Sequence, residues 1–134
     1  MSAIPYSLKK DGSKKLATNF AVKEFKCSDG SDTIFIDEKL PPVLQAIRTH
    51  FGRPVYINSA YRTEAHNTKI GGAAHSQHLY GRAADIRVDG VSPGKVADYA
   101  ELLLGDSGGV GRYNTFTHVD VRDVKSRWTS REND

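Results

Sequence analysis

Between Asp37 and Arg62 the apolar residues change period, and that change constrains the fold more than any other feature of the chain. From Asp37 to Phe51, Leu40, Val43, Leu44, Ile47 and Phe51 recur at helical spacing. Pro41 and Pro42 are tolerable there only in a first turn, and Gly52 stands at the stop. From Pro54 the run Val-Tyr-Ile-Asn-Ser-Ala-Tyr-Arg is β-branched and aromatic, as strands are, and its alternation puts Tyr56, Asn58 and Arg62 on one side. A chain that passes from helical to strand period so quickly has to pack helix against sheet.

The remainder repeats the alternation. Thr63 to Ile70 predicts a short helix capped by Thr63 and ended by Gly71-Gly72, and Ala73 to Gly81 reads as a loop. Ala84, Ile86 and Val88 alternate with Asp85 and Arg87, the pattern of a half-buried strand with Asp85 on the polar face. Ser92-Pro93 opens a second helix with Val96, Ala97, Ala100, Leu103 and Leu104 inward and Gly105 at its close. Gly108 to Tyr113 predicts a turn feeding a short strand. In Phe116 to Val121, Phe116, His118 and Asp120 share one face, with His118 and Asp120 ~7 Å apart along the strand. This order predicts an α+β fold, a small mostly antiparallel sheet with helices on one face. At 134 residues the expectation is one domain, with residues 1–35 as an N-terminal wrapping arm and 36–128 as the core. Within the arm, Asn19 to Lys26 is the one segment apolar enough to dock, as a short helix or turn.

Composition narrows the function. Hydrophobic residues at 38% and charged residues at 26% are ordinary for a globular protein, and 9% aromatic residues argue against an extended base-stacking surface. The net charge is +3, with Lys9, Lys10, Lys14, Lys15, Arg122, Lys125, Arg127 and Arg131 near the two ends, but Asp and Glu are interleaved. A solvated face is therefore expected, and no nucleic-acid partner. Cys27 is the single cysteine, so a free thiol is expected, without an activating motif around it. The opening residues lack the apolar stretch of a signal peptide, and no segment reaches membrane-spanning length, which predicts synthesis in the cytoplasm without membrane insertion. Nothing in the sequence sets the oligomeric state.

The chemistry-bearing residues lie in Ser76-Gln-His78-Leu-Tyr-Gly81-Arg-Ala83-Ala-Asp85 and in Thr117-His118-Val-Asp120. Two imidazoles and one carboxylate, His78, Asp85 and His118, are the ligand number and type of a catalytic zinc, whose fourth position stays open for water. Ligand type alone would also admit iron, cobalt or nickel. Gly81 lets the backbone turn closely here, and Ala83 and Ala84 are small enough to pack beneath.

Together with Ser59-Ala-Tyr-Arg62 upstream, these motifs closely resemble the zinc D-Ala-D-Ala carboxypeptidase family of peptidoglycan peptidases, which includes phage L-alanyl-D-glutamate endolysins. The resemblance runs from about Asp37 to Trp128 and implies the zinc DD-peptidase/hedgehog-like fold, a Zn2+ cofactor and a peptidoglycan stem peptide as substrate. It implies His78, Asp85 and His118 as zinc ligands, Arg62 as a contact to a substrate carboxylate or carbonyl, and Ser76 as a hydrogen-bonding group near the scissile bond. Action on the cell wall after release, by a phage or prophage enzyme, would follow.

In many members of that family an acid three residues before the last His ligand, or a second His two before it, takes the water's proton. Here those positions hold Thr115 and Phe116. Asp120 is the nearest remaining carboxylate. Two roles are open to it, general base or a partner that orients His118. His66 and His75 flank the ligand loop, and as loop histidines they are expected to be exposed. His50 ends a helix, where an imidazolium complements the dipole. Tyr80 and Tyr113 could line a cleft, and Trp128 is expected to pack as a lid over the sheet edge. Carboxypeptidase and endopeptidase both remain open. So does a catalytically silent zinc-bearing module for wall binding or phage structure, which the missing acid favours.

Overall fold

A computed structural model describes residues 3–130. Its N-terminal third holds β1 (Ala3–Ser7), the single helical turn α1 (Leu8–Asp11), β2 (Lys15–Ala17), β3 (Phe20–Ala21), a 3-10 turn over Val22–Phe25, and β4 (Thr33–Asp37). β1 pairs antiparallel with β4 and β2 with β3, as two small two-stranded sheets. Residues expected only to wrap thus carry their own strands, and Phe20, Val22, Phe25, Ile34 and Ile36 enter the same buried cluster as the rest of the protein. Their burial has a direct cause: a strand this short gains stability only by placing its large apolar side chains out of water, each worth about 1.5–3 kcal/mol.

The helix α2 spans Leu40–Phe51, so it begins at the first residue of its apolar pattern, while Asp37, where the segment was read to start, belongs to β4. Pro41 and Pro42 sit in its first turn, and Gly52 ends it in the left-handed conformation, φ 63°. Then follow β5 (Val55–Ser59), α3 (Glu64–Lys69), a 3-10 turn (Gln77–Tyr80), β6 (Ala83–Val88), α4 (Pro93–Leu104), β7 (Gly109–Arg112), β8 (Thr117–Asp120) and β9 (Ser126–Thr129). The five later strands form one sheet in the order β5-β6-β8-β7-β9, antiparallel except for the parallel pair β7 and β9. α2 and α4 touch each other, and both touch β6. Leu44 and Ile47 of α2, Val96 and Ala100 of α4, and Ile86, Val110 and Val119 of the sheet lie in one hydrophobic cluster.

Two features of this sheet position the site. The first is a register shift between Ile57 and Ser59: Ile57 pairs with Ile86, but Ser59 pairs with Asp85. The irregularity turns Ser59 toward the polar face, and the strand ends there. Arg62 therefore lies beyond β5 and not on it, contrary to the simple alternation of the sequence. The second is β9, the edge strand, which sets Trp128 opposite Gly111 with its indole lying over β7, in keeping with the expected packing over the sheet edge. Arg127 fastens this strand by donating to the carbonyls of Gly105, Ser107 and Gly108 at 2.6–3.3 Å, so this member of the basic group is committed to structure. Arg131 falls outside the described residues. No helix among the described residues is long and apolar enough to cross a membrane.

Gly81 closes the ligand-bearing 3-10 turn at φ 69°. A Cβ there would run into the carbonyl of Phe35 in β4, and Asp37 N–H donates to the Gly81 carbonyl at 2.8 Å. Gly81→Ala is therefore expected to lose about 1–2 kcal/mol for the left-handed backbone, plus a cost from the displaced β4. A lowered thermal midpoint accompanied by weaker metal binding is the expected result, read by calorimetry with and without zinc.

Candidate metal centre

β6 and β8 are neighbours, and their register sets Asp85 directly opposite His118. His78 arrives from the 3-10 turn, whose first N–H groups are capped by Ser76: its Oγ accepts from His78 N–H at 3.2 Å. The result is a buried group of three. One ligand atom from each of His78, Asp85 and His118 lies within 4.8 Å of the others, close enough for the three to hold one metal ion. His78 and His118 are 3% and 7% exposed and Asp85 is 5% exposed.

The hydrogen bonds identify the nitrogens that face inward. His78 Nδ1 lies 2.6 Å from the Ala60 carbonyl, which can only accept, so Nδ1 carries a proton, and Nε2 is the nitrogen that faces Asp85 Oδ1 at 3.2 Å and would turn its lone pair to a metal. His118 Nε2 lies 2.7 Å from Asp120 Oδ2, while Nδ1 lies 2.9 Å from Asp85 Oδ1. Both inward nitrogens thus point at one carboxylate oxygen. A backbone carbonyl behind one imidazole and a carboxylate behind the other are the partners that set tautomer and ring angle in metal-binding histidines. The donor set fits zinc: two neutral nitrogens and one hard oxygen.

Asp120 is 0% exposed. Its Oδ2 accepts from Arg122 Nη2 at 2.7 Å as well as from His118, and its Oδ1 accepts from Arg122 Nε at 2.9 Å and Arg122 N–H at 3.1 Å. Burial would raise its pKa, but the His118 and Arg122 hydrogen bonds outweigh burial and hold the carboxyl well below the usual carboxylate range. Asp85 behaves alike, with burial opposed by His118 and His78. Asp120 and His118 do share a face, as the alternation predicts, but Asp120 stands on the far side of the imidazole from Asp85, with both oxygens engaged. Of the two roles open to it, this geometry suits orienting His118.

Arg62 is 8% exposed and reaches Asp85 from the side, with Nη2 3.4 Å from Oδ2. Its Nε donates to Ser59 Oγ at 3.2 Å and its Nη1 to Asn67 Oδ1 at 3.4 Å. Asn67, buried at 3%, carried no sequence signal beyond being a polar residue on the inward face of a short helix. Of the hollows that Arg62 lines, two adjoin the triad. One, about 330 Å³, is bounded by Ser28, His66, Asp85 and Phe116. The other, about 390 Å³, is bounded by His75, Ser76, His78, His118, Arg122 and Trp128. The two share Gly71 and Gly72 as well as Arg62.

Other candidates resolve as follows. His66 Nε2 is 3.1 Å from Ser28 Oγ at the cleft wall, and His50 is stacked on Tyr99 with centroids 3.7 Å apart, away from the centre. Cys27 is buried and free. Tyr80 lines a third hollow with Tyr61, Glu64 and Leu79, which also borders Arg62 and His75. Tyr113 stacks on Phe116 at 4.4 Å and accepts a hydrogen bond from Trp128 Nε1 at 3.1 Å. Arg122, read from the sequence as one of the basic residues of a solvated face, is instead bound to the buried Asp120, and the alternation of His118 and Asp120 points to it as the next on that face.

His118 holds its proton to higher pH than an ordinary histidine. Burial pulls the other way, but Asp120 and Asp85 on either side more than offset it. A raised folded-state value means that the protonated ring stabilises the metal-free fold fully below about pH 6.5, and that this contribution fades as pH rises through the folded value. A metal needs the deprotonated nitrogen, so proton and metal compete. Lowering the pH from about 8 to about 5 is expected to release zinc while the metal-free protein stays folded, since the depressed Asp85 and Asp120 keep their contribution down to still lower pH. A zinc-sensitive dye and circular dichroism recorded on one titration check both halves.

Comparison with known proteins agrees with this architecture. A stretch of 44 residues, 32% of this chain, is 43% identical to the zinc D-Ala-D-Ala carboxypeptidase of Streptomyces albus G. That stretch spans only 17% of the relative's length. The sequence profile of the family described as Peptidase M15 matches residues 17–120, well over half of the chain and all three members of the buried triad. The chain belongs to the Peptidase M15 family.

Proposed function

We propose that this protein is a zinc-dependent peptidase that hydrolyses an amide bond in peptidoglycan stem peptides, with His78, Asp85 and His118 as the zinc ligands. The observation that carries the reading is the convergence of those three ligand atoms within 4.8 Å at the junction of two hollows. Family membership and the similarity to a zinc D-Ala-D-Ala carboxypeptidase support it. The helices α2 and α4 on the side of the sheet away from the triad would complete the zinc DD-peptidase/hedgehog-like arrangement.

Bound zinc supplies Lewis acidity that polarises a carbonyl and acidifies water. The chain's own residues do the rest. Ala60 and Asp120 fix the two imidazoles, and Ser76 caps the turn that presents His78. Arg62, facing both hollows, donates to a carbonyl or carboxylate of the peptide. Asp85 is the only carboxylate among the described residues lining the two hollows, and His66 and His75 are the imidazoles in their walls that stand outside the triad. The cleft continues on both sides of Arg62, a shape that admits peptide beyond both ends of the scissile bond and supports endopeptidase action over removal of a terminal residue.

Digestion of purified sacculi by the zinc-loaded protein, with products identified by mass spectrometry, tests the reading. Internal cleavage products are expected. Release of terminal D-Ala alone would assign a carboxypeptidase. A second reading, a zinc-bearing wall-binding module without turnover, has one observation in its favour: Phe116 is packed on Tyr113, and neither it nor Thr115 supplies an acid. Binding to sacculi without any released product would establish that reading.

A further inference from the structure

The matched family stretch ends at residue 120, yet one wall of the cleft lies beyond it. Trp128 in β9 is seated over Gly111 of β7: a Cβ on Gly111 would come within 2.5–2.6 Å of the indole, so the ring rests where only glycine leaves room. Three further contacts fix it. Nε1 donates to Tyr113 Oη at 3.1 Å, the ring centroid lies 5.0 Å from that of His118, and the Arg122 guanidinium carbon stands 5.4 Å over the ring. An indole held this way, half-buried beside a candidate zinc ligand and lining a hollow, is a rigid apolar surface with one wet side.

Arg122 adds charge at the same place. It uses Nε and Nη2 to hold Asp120, and it lines the hollow together with Arg62. Two guanidinium groups there face two buried carboxylates, Asp85 and Asp120, so a bound dication leaves the hollow net positive. Such a hollow selects an anion.

We propose that Trp128 and Arg122 form a substrate subsite that binds a carboxylate-bearing residue of the peptide next to the scissile bond, the indole packing on its aliphatic part and Arg122 Nη1 donating to its carboxylate. The proposal rests on the peptidase reading above and adds to it two specificity residues that the family match does not contain. Arg122 also positions His118 through Asp120, so its two contributions have to be separated.

Trp128 is the single tryptophan of the chain, and its fluorescence reports this subsite directly. The zinc-loaded wild-type protein is titrated with two synthetic stem peptides that differ only in a D-glutamyl α-carboxylate or its carboxamide. A saturable change in indole emission is expected, with the carboxylate peptide binding about tenfold tighter. Arg122→Gln, measured at saturating zinc with its metal content determined, is expected to erase that preference, and Trp128→Leu to raise KM about tenfold with a much smaller change in kcat. Emission that stays flat at peptide concentrations saturating hydrolysis would overturn the subsite while the peptidase reading stands. Equal affinity for the two peptides would overturn its preference for an anion. Should either variant fail to fold, the wild-type titration alone decides, and a zinc-loaded protein that neither binds nor cuts the peptides removes the peptidase reading and the subsite together.

Discussion

His118→Ala is expected to abolish stoichiometric zinc and, with it, turnover. The ring contributes the inward Nδ1, and its removal leaves His78 and Asp85 as two ligands for an ion that needs three from the protein. Losing a partner behind a ligand costs about 10–100-fold in metal affinity, and losing the ligand itself must cost more. It also strands Asp120, whose Oδ2 loses its imidazole partner in a site with no access to water. Arg122 still holds that carboxylate, so the fold is expected to persist with a lowered midpoint. Metal analysis by mass spectrometry and circular dichroism on the same preparation check both statements. A variant that keeps one zinc per chain would remove His118 from the ligand set.

Asp120→Asn separates the two roles considered for that residue. As the group that orients His118, it is expected to lower zinc affinity about 10–100-fold, with turnover recovering when zinc is supplied in excess. As a general base it would leave zinc affinity unchanged and cut turnover by roughly 10²–10⁴ at any zinc concentration. The structure places both Asp120 oxygens in hydrogen bonds to His118 and Arg122, so recovery is the expected result. Turnover against free zinc, set with a metal buffer, is the measurement.

The sequence made the two long helices legible because α2 and α4 each bury one apolar stripe, and a stripe of that kind has to recur with the helix period. β6 was legible for the corresponding reason: Ala84, Ile86 and Val88 enter the core while Asp85 and Arg87 do not. Asp85 and His118 stand at polar positions between apolar ones, His78 could be picked out only by the likeness of its motif to a known family, and the structure brings the three ligand atoms together. Other features left no local trace. β1 meets β4 across 26 residues of chain or more, pairing Ser7 with Thr33, and the two residues of β3 are too few to show any period. The register shift at Ser59 breaks the alternation on which a strand reading depends. β9 is an edge strand with one neighbour and no fully buried side chain, so its burial pattern has nothing to alternate. Arg122 was visible by spacing, but its bonds to Asp120 emerge only when the chain turns after β8.

The clasp at Gly81 reaches further than one residue. Phe35 and Asp37 brace the back of the turn that presents His78, and Arg82 beside it lies 3.8 Å from Asp37. A graft of the ligand motifs into a foreign scaffold, or a shortened protein that starts after this hairpin, would carry every coordinating atom yet lack the buttress that aims one of them. Its hold on the cation would then be set by a wandering turn.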